Sequence, residues 1–254
     1  MGNPATATAP AGDTSAEALR LLEEVAKKAP KGYVALQTIP YRAHHLLVTE
    51  ALSVTSPGAR VFEGGVSAGY LARVLVRAGR SVDGAELDPV EAAKAEEVCD
   101  RVLVGDLSQL DLGTLRDDYD LLLFGDTLEH LPAPEEVLRR LAARTVEGGH
   151  LVLSIPNIAN WSIRLMLLAG RFRYTDRGIM DRTHLRFYTV ATLPEMLRDA
   201  GFEVLRLQAS VPVPGVTAER ACALAHRFGN LAPGLFGYNL VATCRRLPGA
   251  ASGS

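Results

Sequence analysis

The chain has little cysteine and almost no tryptophan: three residues of the first and one of the second in 254. Cys99, Cys222 and Cys244 are odd in number, widely separated, and form no C-x-x-C pair. That spacing argues against a disulfide framework and a zinc knuckle, and fits reduced core thiols in a cytoplasmic protein. Neither sign of charge dominates, with 27 basic and 29 acidic residues for a net −2. General nucleic-acid binders are usually basic over a whole domain, so no nucleic acid is expected as partner, although a local basic patch stays open. No apolar run approaches the roughly 20 residues that span a bilayer, so no stable membrane insertion is expected. The opening "MGNPATATAPAG" lacks the basic start and apolar stretch of a signal peptide. No internal repeat is visible.

What is present is ample apolar material, 48% of residues, in a length that suits one domain with a small added lobe. Residues 1–12 and 249–254 read as a disordered arm and tail. From Asp13 the spacing of Ala18, Leu21, Leu22, Val25 and Ala26 predicts a helix. Asp13, Thr14 or Ser15 would cap it, and "APKG" would end it. A second helix is predicted near Pro40, carrying Tyr41, His44, His45, Leu47, Val48 and Leu52. Residues 13–57 thus form an N-terminal helical lid or side layer.

From Ala59 short apolar strands alternate with helices: "ARVFEGG", "SVDGAEL", "DRVLVGDL", "YDLLLFGDTLEHL" and "GGHLVLSIPN" are the strands. Asp88 is the expected cap of the helix that opens with Pro89. This alternation implies right-handed crossovers and a parallel sheet, and runs such as "LLLF" suit strands buried on both faces. The cofactor-binding core is placed at 58–159. Residues 160–188 are too long for an ordinary loop and read as a substrate-lid insertion. The C-terminal part of the core sheet, 189–248, adds the strands "FEVLRLQA" and "GYNLVATCRR".

The stretch "VFEGGVSAGYLA" resembles a cofactor loop but fails the G-x-G-x-x-G spacing of a dinucleotide site. Gly64 and Gly65 permit close backbone approach, and Gly69 lets the next helix pack close to the strand. Glu63 at the loop start would repel a pyrophosphate. A cationic ligand without phosphate resolves both difficulties. S-adenosylmethionine is such a ligand, and Glu63 can bind its α-ammonium, directly or through water. Glu86, about 20 residues on, suits the ribose hydroxyls. Asp106 suits the adenine amino group. Three acids at three successive strand ends make a specific pattern.

Residues from about 58 to 208 resemble a class I S-adenosylmethionine-dependent methyltransferase, in the small-molecule branch with "LEH" after the fourth strand. "VFEGGVSAGYLA", "GAELDP", "VGDL", "DTLEHLPAPEEVLRRL" and "GGHLVLSIPN" carry the resemblance. It implies an α/β, Rossmann-like, doubly wound sheet of seven strands with the last antiparallel, between the fifth and sixth. The cofactor set it implies is Glu63, Gly64, Gly65, Ser67, Gly69, Glu86, Leu87, Asp106, Leu107 and Asp126. Ser67 stands where the family has its middle loop glycine.

Methyl transfer needs alignment, and a base where the acceptor must shed a proton. His184, with Asp181 to orient it, is one base candidate; its bland reading is a residue that fixes the lid. His130 is the other, as base or polar orienter, against a simple turn cap. Some quinone-pathway O-methyltransferases bind a divalent metal through an acid-x-x-Glu-His run, which Asp126, Glu129 and His130 match in type; the primary assignment is no metal. Asn157, Asn160, Trp161, Arg182 and Tyr41 are candidate substrate contacts, and the two asparagines equally suit a turn. His44 and His45 are assigned packed or solvated roles. The insertion is basic through Arg164, Arg171, Arg173, Arg177, Arg182 and Arg186, which fits an acidic acceptor or a solvated lid. Its apolar "WSIRLMLLAG" is expected to pack on the core as a lid; a homodimer surface and a membrane-contacting helix are the alternatives. The Ala/Arg/Gly/Leu-rich composition fits a GC-rich bacterial genome, where such enzymes tailor natural products or glycans. The function expected is methylation of oxygen or nitrogen on a small molecule, possible rivals being a repurposed fold that cyclises, a nicotinamide oxidoreductase and an RNA methyltransferase.

Overall fold

The computed structural model describes residues 12–28 and 38–249. The expected arm apart from Gly12, the "APKG" helix stop and the tail from residue 250 lie outside the described residues. Seven strands form one sheet: β1 (Arg60–Gly64), β2 (Ser81–Glu86), β3 (Arg101–Val104), β4 (Tyr119–Gly125), β5 (Thr145–Pro156), β6 (Phe202–Ser210) and β7 (Asn239–Arg246). Their order is β3-β2-β1-β4-β5-β7-β6. β7 pairs antiparallel with both β5 and β6, and the remaining neighbours are parallel. The doubly wound architecture expected from the alternation is the one observed.

Strand geometry explains how the sheet buries both faces. Side chains alternate along β4. Leu122 and Phe124 face one side, with α5 (Pro134–Ala142) and α7 (Thr192–Asp199), through Val137, Leu138, Leu193 and Leu197. Leu121 and Leu123 face the other side. There they meet α1 (Gly12–Lys28), α2 (Ala43–Val54) and α3 (Tyr70–Arg77), through Leu22, Leu47, Val48 and Leu75. Each such buried leucine contributes about 1.5–3 kcal/mol. The N-terminal helices are therefore a side layer of the core, one of the two roles their sequence left open.

Two boundaries differ from the sequence reading. α1 begins at Gly12, so Asp13, Thr14 and Ser15, one of which was expected to cap a helix running from Asp13, all fall inside its first turn. α2 begins at Ala43, and Pro40 and Tyr41 lie in the turn before it. The left-handed backbone at Tyr41, φ 61°, explains the delay, because that conformation cannot continue a helix. α4 (Pro89–Ala95) is capped as expected, with Asp88 accepting from Val90 N at 2.7 Å.

The insertion packs differently from expectation. Its helix α6 (Trp161–Leu168) buries only Ile163, which joins Ile179 and Met180 in a small cluster apart from the main core. Trp161 is 50% exposed and Leu168 83%. A single contact ridge anchors this helix, so its apolar residues do not form a lid packed on the core. Two further helices, α8 (Glu219–Gly229) and α9 (Pro233–Phe236), join β6 to β7.

Candidate active site

Parallel strands place their carboxyl ends on one edge. Gly64 lies beside Ala85 and Phe124, Glu86 beside Val104, and Gly125 beside Ser154. β6 ends on the same edge, since Ser210 and Pro156 both pair with Asn239. Strand order reverses between β1 and β4, which is where ligands bind in open sheets of this kind.

The glycine loop folds back over β2. Gly65 N and Val66 N both donate to the Ala85 carbonyl, at 2.9 and 3.0 Å. A Cβ at Gly64 would lie 2.1 Å from the Phe124 ring, so this glycine is required by close ring packing. Gly69 has φ 75°, and a Cβ there would meet Val98 at 2.8 Å. It admits the close approach of Ala95, at the end of α4, and of Val98 beyond it, a contact different from the strand packing of the next helix that the sequence suggested. Ser67, at the position of the missing glycine, keeps the left-handed conformation with φ 49°. Its N–H donates to Glu86 Oε2 at 2.8 Å. The other oxygen of Glu86 accepts from Asp88 N at 2.9 Å. One carboxylate therefore ties the first loop to the second strand tip.

Asp106 follows β3, exposed, and Oδ1 accepts from Ser108 N at 2.8 Å. Leu107 beside it is buried, whereas Leu87 is exposed. Glu63, expected at the start of the loop, is one residue inside the strand end. It lies within β1, 3% exposed, beneath the loop. Burial pushes its carboxyl up to about 8; a hydrogen bond from the Ala72 backbone opposes this, and the Glu86 charge adds to it. Its Oε2 has no hydrogen-bond partner among the described residues. An orphaned buried carboxylate oxygen below a glycine turn fits a ligand that carries an ammonium group.

The other half of the edge is centred on Asp126, just past β4. Its backbone is left-handed, φ 50°. Oδ1 accepts from Ser154 Oγ at 2.8 Å and Asn239 Nδ2 at 2.7 Å. Neither Ser154 nor Asn239 was picked out from the sequence. His44, expected to be packed or solvated, is packed near this group. A Cβ at Gly125 would touch Leu47 Cδ1 at 3.4 Å, and His44 is three residues before Leu47 on the same face of α2. Burial lowers the His44 pKa, and the Asp126 charge opposes that. The i, i+3 spacing was the available signal. Tyr41 closes this side: its carbonyl accepts from Ser210 Oγ at 3.1 Å, and its ring stacks on His226 at 4.7 Å.

Beyond Asp126 a 3-10 turn, Leu128–His130, meets the insertion. Leu185 N and Arg186 N donate to the Glu129 carbonyl at 2.8 and 3.0 Å. This brings Glu129, His130 and His184 together, with one ligand atom from each all within 4.8 Å of one another. The two imidazole rings are 4.8 Å apart, edge to face. Burial first, and the Asp126 charge second, hold the Glu129 carboxyl well above the usual carboxylate range. Burial lowers His184. The sequence paired His184 with Asp181, and here the structure corrects it. Asp181 Oδ1 accepts from Thr183 N and Oγ1, at 2.8 and 2.7 Å, while His184 Nδ1 faces the Ile179 carbonyl at 3.1 Å.

The remaining substrate candidates are engaged elsewhere. Asn157 Nδ2 donates to the Gly237 carbonyl at 2.9 Å, and its Oδ1 accepts from Ala159 N at 3.1 Å. Asn160 caps α6 through Ser162 N at 3.0 Å and also reaches the Gly237 carbonyl, at 2.8 Å. Both are turn residues that tie β5 to the segment before β7, which settles the two-way reading in favour of the turn. Trp161 opens α6 half-exposed, and Arg182 pairs with Asp176 on the surface at 2.5 Å.

Sheet order, a glycine turn after β1 and acids on the next two strand tips are together those of the class I, S-adenosylmethionine-dependent methyltransferases. The sequence carries the same conclusion: residues 34–207 match the family described as a methyltransferase domain, and the chain belongs to it. It is similar to a ubiquinone biosynthesis O-methyltransferase of Aeromonas salmonicida, 26% identical over 154 residues. That match covers 58% of this chain and 64% of the relative, so the chain spans less than two thirds of its length. Among solved structures, an S-adenosylmethionine-dependent methyltransferase from Mesorhizobium loti superposes with a TM-score of 0.55 at 19% identity, covering 79% of this chain and 96% of that one. One from Archaeoglobus fulgidus gives 0.55 at 16%, covering 77% and 90%. At these identities the structures speak for the fold alone.

Proposed function

We propose that the protein moves the methyl group of S-adenosylmethionine to an oxygen or nitrogen atom of a small-molecule acceptor. The observation that supports this most is the Glu86 carboxylate bonded at once to the loop and to its own strand tip. It presents remaining lone pairs to a ribose at a fixed position. Asp106 takes the adenine amino group, with Leu107 and Leu87 beside the base. The loop of Gly64, Gly65, Ser67 and Gly69 lines the methionine end, Glu63 below it takes the ammonium, and Asp126 borders the sulfonium side.

The acceptor then lies between Tyr41 and His44 on one side and His130 and His184 on the other. An imidazole of the second pair receives the acceptor proton. The carbon–sulfur bond breaks with its electron pair left on sulfur, the acceptor lone pair forms the new bond to carbon, and the products are the methylated acceptor and S-adenosylhomocysteine. Orientation of the three reacting atoms contributes several kcal/mol, on the order of 7–11 for ideal alignment. Arg171, Arg173 and Arg177 are exposed on the insertion and suit an anionic group on the acceptor. The O-methyltransferase relative favours oxygen as the acceptor atom.

The test is product mass after incubation with S-adenosylmethionine and a panel of phenols, sugars and their carboxylated forms. One acceptor should gain a methylene unit for each S-adenosylhomocysteine released. An acceptor rearranged at unchanged mass, with the cofactor intact, would replace this reading by cyclisation.

A further inference from the structure

We propose that Glu129, His130 and His184 bind one divalent transition-metal ion, with His184 brought by the insertion as the third ligand. The cluster is drawn from the 3-10 turn after β4 and from a segment more than fifty residues later. Glu129 is 1% exposed, and neither of its carboxylate oxygens has a hydrogen-bond partner among the described residues. His184 Nε2 faces Glu129 Oε1 at 3.9 Å.

The tautomers follow from the outer contacts. His184 Nδ1 meets the Ile179 carbonyl at 3.1 Å, and His130 Nδ1 meets the Thr183 carbonyl at 3.2 Å. A carbonyl oxygen only accepts, so each Nδ1 carries the proton and each Nε2 keeps its lone pair. Two acceptors, His184 Nε2 and a carboxylate oxygen, thus face each other in a buried space. A shared proton, a bridging water or a metal ion would satisfy both, and the ion alone also uses the third donor atom, that of His130. Ring N–H groups anchored on carbonyls are the outer-shell pattern of metal-ligating histidines.

The donor set selects the metal class. Two imidazoles and a carboxylate suit zinc, iron, cobalt or manganese better than magnesium, which favours all-oxygen surroundings. Metal–ligand bonds of about 2.0–2.1 Å place tetrahedral donors about 3.3 Å apart, so the side chains must draw inward from their present spacing. Three protein ligands leave at least one position open, on the side where His130 is partly exposed. There the ion would supply a Lewis acid for an acceptor oxygen and so stand in for the imidazole base, whose lone pair it occupies; that role rests on the methyl-transfer reading, and binding of the ion does not. Asp126 belongs to a different unit, since its Oδ1 is held by Ser154 and Asn239. The Asp126–Glu129–His130 set suggested by the sequence is therefore replaced by Glu129–His130–His184.

The full chain, stripped of metal and free of cofactor, should be titrated calorimetrically with Zn2+, Mn2+, Co2+ and Mg2+, with metal content measured after dialysis. One equivalent of Zn2+ or Co2+ should bind, and Mg2+ more weakly. Glu129→Gln and His184→Ala should each lower Zn2+ affinity by at least about 100-fold, and Asp126→Asn by less than about threefold. Titration with S-adenosylhomocysteine reports separately whether each variant is folded and whether the cofactor half is intact. Should Glu129→Gln fail to fold, His184→Ala alone decides. No stoichiometric binding, or affinity unchanged in His184→Ala, overturns the proposal and leaves a proton between the two groups. Loss in Asp126→Asn with retention in His184→Ala overturns the ligand set.

Discussion

The two halves of the strand edge are built by different means. The cofactor half, over β1 to β3, uses residues 63 to 108, each bound to backbone within a few positions or across one strand. The acceptor half, over β4 to β6, gathers Tyr41, His44, Asp126, Glu129, His184, Ser210 and Asn239 from most of the chain length. The first is a set of local turns. The second depends on long-range packing of α2, the insertion and the start of β7. On the proposed assignment, the contrast teaches that a shared cofactor is recognised by short motifs, while acceptor choice is written into contacts between distant segments.

The strongest way to break the contrast is to crowd the first half. Gly64→Val drives a side chain into the Phe124 ring and should lower stability by about 3 kcal/mol. Denaturant unfolding would show it; a variant as stable as the parent would remove the packing account of the loop. Glu86→Ala comes next. Losing charge-assisted bonds of about 1.5–3 kcal/mol should weaken S-adenosylhomocysteine binding by roughly 10- to 100-fold. Unchanged affinity would end its ribose role.

The halves should also respond to pH with opposite signs. Burial, chiefly, lowers His226 from 6.5 to about 4, and the group stacks on Tyr41 in the acceptor half. Its folded pKa is below its unfolded one. The stability it contributes is therefore present above pH 6.5 and lost as pH falls through about 4. That loss should be about 2 kcal/mol after allowance for partial solvent screening, and should vanish in His226→Phe. Glu63 in the cofactor half is raised from 4.5 to about 8, so its contribution is present below 4.5 and lost as pH rises through 8. Stability curves from pH 4 to 9 for the parent, His226→Phe and Glu63→Gln check both signs. The smallest effect belongs to Ser67→Gly. Relief of the left-handed backbone should raise stability by about 1 kcal/mol with cofactor affinity unchanged, as read by thermal unfolding and titration.

The same division decided what could be read from the sequence. Strand runs, the Asp88 cap and the acids at strand tips are local signals, and they fell where the pattern placed them. Glu63 lies one residue inside the strand end, and alternation along β1 turns it inward under the loop, a burial that no short motif states. Asn157 and Asn160 suited substrate or turn equally until Gly237, some eighty residues away, was seen to supply their acceptor. Asp181 looked like the partner of His184 because it is three residues distant, but the nearer Thr183 claims its carboxylate. The packed role expected of His44 holds, but its nearness to Asp126 depends on α2 lying across Gly125, which no short motif encodes.

The account turns on what the acids at the strand tips hold, and calorimetric titration of the full chain with S-adenosylhomocysteine and, separately, with NADH asks that directly. It predicts one equivalent of S-adenosylhomocysteine bound, more tightly as pH rises toward 8 and Glu63 ionises, with no saturable NADH binding. Saturable NADH binding with none for S-adenosylhomocysteine would contradict it.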